Sequence, residues 1–275
     1  LLLYDQTPEI KKQILKSIVK IKNPSFVTYI IEQLSDKELQ FAAEQCMIHY
    51  SDVWAKDINV LSKTIPRDKL IEYIVKSPSA DVMNIVLDLF AKEAHPLMCE
   101  YLYKKKHKFD DDTQILELIK QQVIALNKLK KLVESTTDSS LKSALKDEYY
   151  NKVLYALQLL FLMRETSKVY DVYQSIRMRL VDKYDQAIEL LEYNTKKLNI
   201  EGLVGLVETY TDDFKNSMES DNTKEVCKEI VLQEKLYSDW TIALALYISK
   251  MIPKNPLSNS SKIVREIVEL NQKAN

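Results

Sequence analysis

Two glycines, Gly202 and Gly205, occur in 275 residues, against a usual frequency of about 7%. Glycine-rich phosphate loops and dinucleotide fingerprints need backbone that approaches the ligand closely. Neither G-x-x-x-x-G-K-[ST] nor G-x-G-x-x-G is present. Tight β-hairpin turns also rely on glycine, so the scarcity points away from sheet. Cysteine is sparse as well: Cys46, Cys99 and Cys227 are odd in number and far apart, which fits a reducing compartment better than a disulfide framework. No run of 18 apolar residues exists, and no signal peptide is visible. The most apolar stretch, VLYALQLLFLM at 153–163, is read as a buried helix. A net charge of −1 offers no global attraction to nucleic acid, whose binders usually carry a strongly basic domain. With three histidines in ordinary contexts, no Ser-His-Asp or Cys-His-Asn arrangement can be argued. The chain opens LLLYD without methionine, as a piece of a longer protein would.

What the chain does have is helical periodicity. The composition, 46% hydrophobic and 29% charged, is that of a folded chain with ample core. Ile10, Ile14, Ile18 and Ile21 step by four, four and three, one face of a helix. Leu39-x-x-Ala42-Ala43-x-x-Cys46 overlays on Val82-x-x-Ile85-Val86-x-x-Leu89. The same template fits Tyr184-x-x-Ala187-Ile188-x-x-Leu191 and Trp240-x-x-Ala243-Leu244-x-x-Tyr247. Asp36, Asp182, and Ser238 with Asp239 precede three of these helices, where their side chains can cap free backbone N–H groups. Further helices are expected over 24–34, 56–75 and 95–105. Helix pairs recurring at roughly 30 to 45 residues mark an α-solenoid. The expected fold is therefore all-α, a HEAT/ARM-like right-handed superhelix of helical hairpins. ESTTDSS at 134–140 separates repeats 1–133 from repeats 141–275, a break expected to leave one continuous stack; a helix after PKNPLSN (253–259) caps it.

Few residues suggest chemistry. Cys46 with His49, and His95 with Cys99, each place a thiol and an imidazole on one helical face, the minimum for a shared zinc site. Buried structural cysteines explain the same pattern more simply, so no metal or other cofactor is expected. In YLYKKKHKFDDD (101–112), Lys104, Lys105 and Lys106 form a basic run suited to a phosphate or an anionic lipid headgroup. The plainer reading is positive charge at one helix end and Asp110 to Asp112 at the start of the next, both suited to the helix dipole. Of sixteen tyrosines, Tyr170, Tyr173, Tyr184 and Tyr193 are candidates to line a binding groove, because the concave faces of solenoids are frequent binding surfaces. No carboxylate pair stands out as an acid–base couple.

The D-x-x-hydrophobic-x-x-x-Ala cadence resembles the HEAT repeat, with 36–50 the nearest match although Gln40 stands where an arginine is common. From 141 to 250, a long helix is followed by VYDVYQSIR, DQAIELLEYN and SDWTIALALYIS. This succession resembles the HEAT-like region that follows the membrane domain in bacterial fusion proteins of the ATP/ADP translocase type. Tyr173, Ile176 and Arg177 match its "Y-x-x-[IL]-R" run. Ala187, Ile188, Glu189, Leu191, Glu192 and Asn194 match its "A-L-E-x-L-[DE]-N" helix, and Trp240, Ala245, Leu246 and Tyr247 its "W-x-x-x-x-A-L-Y" helix. The likeness covers about 110 residues and none of the family's transport residues. It implies a regulatory or docking module, cytoplasmic and tethered to the inner membrane through an absent N-terminal transmembrane domain. The expected function is thus non-enzymatic, with a protein partner or the chain's own membrane domain as its ligand. The alternatives are an enzyme on a HEAT-like scaffold, of DNA glycosylase or bilin lyase type, or headgroup sensing through 104–108.

Overall fold

The structure, a computed structural model, describes residues 6–163, 168–212, 214, 222–253 and 261–274. Every regular element among them is a helix, as the glycine scarcity and the periodicity require. None is long and apolar enough to cross a membrane. The chain divides into two compact units, Leu1–His107 and Lys108–Asn275.

In the first unit, α1 (Pro8–Ile21) begins with proline at its first position, where the missing N–H costs nothing, and carries Glu9 in its first turn and Lys20 in its last. It packs against α3 (Gln40–His49), which also receives α2 (Val27–Gln33). The short α4 (Ser51–Trp54) and α5 (Ile58–Leu61) lead to α6 (Arg67–Lys76), which packs on α3, on α7 (Val82–Lys92) and on α8 (Pro96–Lys104). The single helix expected over 56–75 is interrupted. Pro66 is the N-cap of α6, and its ring disfavours helical backbone in the residue before it. Two buried aromatics pin the connections. Tyr50 donates from its hydroxyl to the Asn23 carbonyl at 2.8 Å, and Trp54 from Nε1 to the Met47 carbonyl at 2.9 Å.

The second unit is built on two long helices, α9 (Thr113–Glu134) and α10 (Ser139–Leu162), packed along one another. The 134–140 stretch is the turn between them. Asp138 caps α10 by accepting from the Leu141 N–H at 2.8 Å. Ala156 to Met163 are all buried, so the most apolar stretch of the chain is indeed a core helix. Its one polar interruption, Gln158, donates to the Tyr173 hydroxyl at 3.1 Å. The helices α11 (Val169–Arg177), α12 (Tyr184–Lys197) and α13 (Leu203–Thr211) then follow, each packed on its predecessor. α14 (Thr223–Leu232) begins a second run, in which α15 (Asp239–Ser249) packs on α14 and on α10, and α16 (Lys262–Ala274) packs on α15. Ser238 is the N-cap of α15. Glu148 ties that cap to α10, its Oε1 accepting from the Ser238 N–H at 2.7 Å and the Thr241 hydroxyl at 2.9 Å.

The four overlaid helices do not all bury the same positions. Leu39, Ala43 and Cys46 are buried, as are Val82, Val86 and Leu89, and Ala187 and Leu191. On α15 the buried set is Thr241, Ile242, Ala243, Ala245 and Leu246, while Trp240 and Tyr247 are each 56% exposed. On α1, Ile10 and Ile21 are exposed at the two ends of the stripe.

Helices that lack glycine must close some other way. Past helix ends, Lys22, Lys106, Arg179, Asn199, Phe214 and Lys250 adopt positive φ between 50° and 56°, and Lys168 does so at the start of α11. At three of them the bonding is that of a Schellman motif, the residue after each donating five residues back: His107 to Leu102, Leu180 to Ser175 and Ile200 to Thr195. A side chain in this left-handed conformation costs roughly 1–2 kcal/mol where glycine would not.

Candidate interaction surface

One of these strained positions builds the most distinctive surface of the second unit. Arg179, just past the end of α11, has φ 53°. Its guanidinium lies over the Tyr150 ring from α10, 5.5 Å from the centroid. Tyr150 stacks on Tyr210 of α13, with centroids 4.9 Å apart and planes 26° apart. The Arg179 guanidinium interacts electrostatically with the phenols of Tyr150, Tyr210 and Tyr184, the last being the first residue of α12. The Tyr150 hydroxyl donates to the Arg177 carbonyl at 3.0 Å, which ties the cluster to the end of α11. Three helices and one helix terminus therefore converge on one exposed cation, with three half-buried phenols around it.

The electrostatics favour a fixed protonation state. Burial pushes the Tyr184 and Tyr210 phenols up, against the opposing pull of Arg179. Both therefore stay neutral donors near pH 7. A planar cation with five N–H donors, framed by phenolic hydroxyls, matches a carboxylate or a run of backbone carbonyls.

Of the four tyrosines singled out from sequence, only Tyr184 belongs here. Tyr170 and Tyr173 form a separate group with Phe161, the three centroids 5.4–5.9 Å apart. Tyr173 is buried there, beneath the Arg177 guanidinium at 5.7 Å. Tyr193 is 61% exposed. It lies nine residues after Tyr184 on α12, half a turn out of phase at 3.6 residues per turn, so the two face opposite sides of that helix. The four line no common groove. Tyr150, Arg179 and Tyr210 are the members sequence reasoning missed. The one local signal is Tyr149-Tyr150, adjacent residues of which the first is fully buried and the second only partly.

The basic run is the end of α8. Lys104 occupies the last turn near Glu100 (3.8 Å), Lys105 is the C-cap and lies 5.7 Å from the Tyr101 ring centroid, and Lys106 is the left-handed residue. Beyond it, Asp111 accepts from the Thr113 N–H at 2.9 Å in the turn that leads into α9. Both charge runs thus have local structural employment.

The cysteine–histidine pairs do not meet. His95 Nδ1 accepts from the Leu97 N–H at 3.2 Å as the N-cap of α8, and its Nε2 lies 3.4 Å from Asp68. That contact, reinforced by Arg67, holds the Asp68 carboxyl below its usual range against partial burial. His49 faces the Gln45 carbonyl at 2.8 Å. Cys46 is 2% exposed, and burial pushes its thiol up to about 12; Cys227 rises to about 11, and Cys99 rises further. Thiols in that state are not nucleophiles at neutral pH. Among the described residues, no group of three or more His, Cys, Asp or Glu side chains is placed to hold a metal ion.

The residues matched to the "Y-x-x-[IL]-R" and "A-L-E-x-L-[DE]-N" runs are largely packing residues. Tyr173, Ile176, Ala187, Leu191 and Asn194 are buried, and Asn194 donates to the Leu190 carbonyl of its own helix at 2.7 Å. Trp240 and Tyr247 instead leave an aromatic stripe on α15, with the Lys250 ammonium 4.1 Å from the Tyr247 centroid. No family model, no curated protein and no solved structure matches the chain.

Proposed function

We propose that the chain is a non-enzymatic helical-repeat interaction module of HEAT-like type that docks a protein partner, or a membrane domain of its own parent protein, on the surface around Arg179. The observation that carries this reading is the cluster itself. Arg179 occupies a costly left-handed conformation at a helix end where glycine would suffice, and the strain sets its guanidinium among Tyr150, Tyr184 and Tyr210. Arginine and tyrosine are the residue types that dominate interface hot spots, and backbone strain concentrates at functional positions. The packing of each helix on the one before it, from α9 to α13 and again from α14 to α16, supports a repeat architecture, whose hairpins bury their faces against sequence neighbours.

The order of segments between 141 and 250 further supports a place as the regulatory part of a larger protein of the ATP/ADP translocase type, cytoplasmic and tethered at the membrane. The test is the size of the native assembly. Full-length protein extracted from its own cells should migrate above its monomer mass, and R179A should release a separate partner; where the partner is the parent's own membrane domain, R179A should instead leave the chain at the membrane but open the segment around Arg179 to limited proteolysis. Migration of the native protein as a free monomer in the soluble fraction, unchanged in R179A, would overturn the proposal.

A further inference from the structure

The first unit carries a second surface, remote in sequence from Arg179. Between α1 and α3 runs an open groove with a cavity volume of about 580 Å³. Its floor is Leu15, Val19, Ala42 and Cys46. Phe41 projects from α3 at 75% exposure, the largest exposure of any aromatic ring among the described residues. The walls differ in charge. On the α1 side stand Lys12 and Lys16, one helical turn apart, and neither has a carboxylate partner among the described residues. On the α3 side stand Glu38, Gln45 and His49.

We infer that this groove receives an amphipathic helix of a partner protein, with apolar anchors on the Leu15–Cys46 floor and acidic side chains beside Lys12 and Lys16. A helix laid in a groove presents anchors at i, i+3 or i+4, and i+7, a span of about 10 Å. The α1 wall from Lys12 to Val19 covers the same seven-residue rise. The two free ammonium groups then select acid on one flank of the occupant, and Glu38 excludes acid from the other. That asymmetry fixes its orientation. An anionic membrane is the weaker match, because the apolar surface is recessed and Glu38 would face the lipid charge. The inference shares the interaction-module reading but not the Arg179 cluster, which lies in the other unit.

The test is selection from a display library of five-turn amphipathic helices (about 18 residues) panned over the whole chain. Positions on both flanks of the apolar stripe are randomised among Glu, Lys and Gln. Enriched sequences should carry Glu on one flank only. Their affinity should fall about tenfold with K12E/K16E and at least as much with F41A, while R179A leaves it unchanged. Repeating the selection on K12E/K16E should switch that flank from Glu to Lys. Equal enrichment on F41A, or an unchanged flank preference on K12E/K16E, would overturn the inference. So would phosphatidylglycerol vesicles that bind the chain with the same dependence on Phe41 and the two lysines. Selected helices that depend on Arg179 and not on Phe41 would sink the groove while leaving the proposed function standing.

Discussion

Replacing Arg179 separates what the residue does for folding from what it does for recognition. The side chain contributes a cation–π contact with Tyr150 at 5.5 Å, worth about 0.5–1 kcal/mol at an exposed site. The backbone carries the opposite sign. A left-handed non-glycine residue costs roughly 1–2 kcal/mol, of which glycine's larger loss of chain entropy takes back about 0.5–1 kcal/mol. R179A keeps the strain and loses the ring contact, so it should destabilise by about 0.5–1 kcal/mol. R179G loses the contact and relieves the strain, and its net change should lie close to zero. N199G, at the other Schellman position of the second unit, should gain a few tenths of a kcal/mol, because asparagine tolerates this conformation better than arginine. Urea unfolding followed by circular dichroism at fixed pH resolves the three variants through their midpoints. A loss above about 2 kcal/mol for R179A would make the guanidinium a structural tether, and the recognition argument would fail. A clear gain for R179G would mean the ring contact contributes nothing and the cluster is accidental.

K106G should stabilise the first unit by about 0.5–1 kcal/mol on the same reasoning, because Lys106 is left-handed at the end of α8; an unchanged or lower urea midpoint would refute it. W54A should cost about 3–5 kcal/mol, since Trp54 is 1% exposed and its loss also removes the side-chain donor to the Met47 carbonyl; a Tm shift of only a degree or two would contradict the packing described. The thiols set an alkaline limit. Cys46 and Cys227 are held protonated in the fold, up to about 12 and 11, whereas the unfolded chain ionises them near the ordinary thiol value of about 8.5. Their contribution is fully present below that value and is lost on rising through the folded ones, at about 1.4 kcal/mol per pH unit for each thiol in that window. Unfolding midpoints that stay flat from pH 9 to 11 would count against this burial, as would rapid reaction of the native thiols with a disulfide reagent at pH 8.

The all-α class was legible because glycine scarcity and 3.6-residue periodicity describe the same chain. Helix ends were less so. Pro66 breaks the 56–75 segment by a local rule visible in the sequence, yet the apolar residues on both sides of it keep a helical rhythm. Trp240 and Tyr247 show the limit of pattern matching. They fit the same template as Leu39 and Cys46, but α15 turns a different face to the core, and one sequence has no way to say which face its neighbours cover. The candidate site was nearly invisible for a related reason. Tyr150, Arg179, Tyr184 and Tyr210 span 61 positions and meet only because α10, α12 and α13 cross at the end of α11. The left-handed turn that aims Arg179 carries no glycine to announce it.

The central claim is that the surface around Arg179 meets another macromolecule in the cell. Its most direct test is a photo-crosslinking amino acid placed at Tyr184 and, separately, at Tyr193 on the opposite side of α12, in the full-length protein in its native cells. The account predicts a discrete adduct of higher mass from position 184, absent when Arg179 is replaced by alanine, and no such adduct from position 193. Equal crosslinking from both positions, or an adduct at 184 that survives R179A, would contradict it.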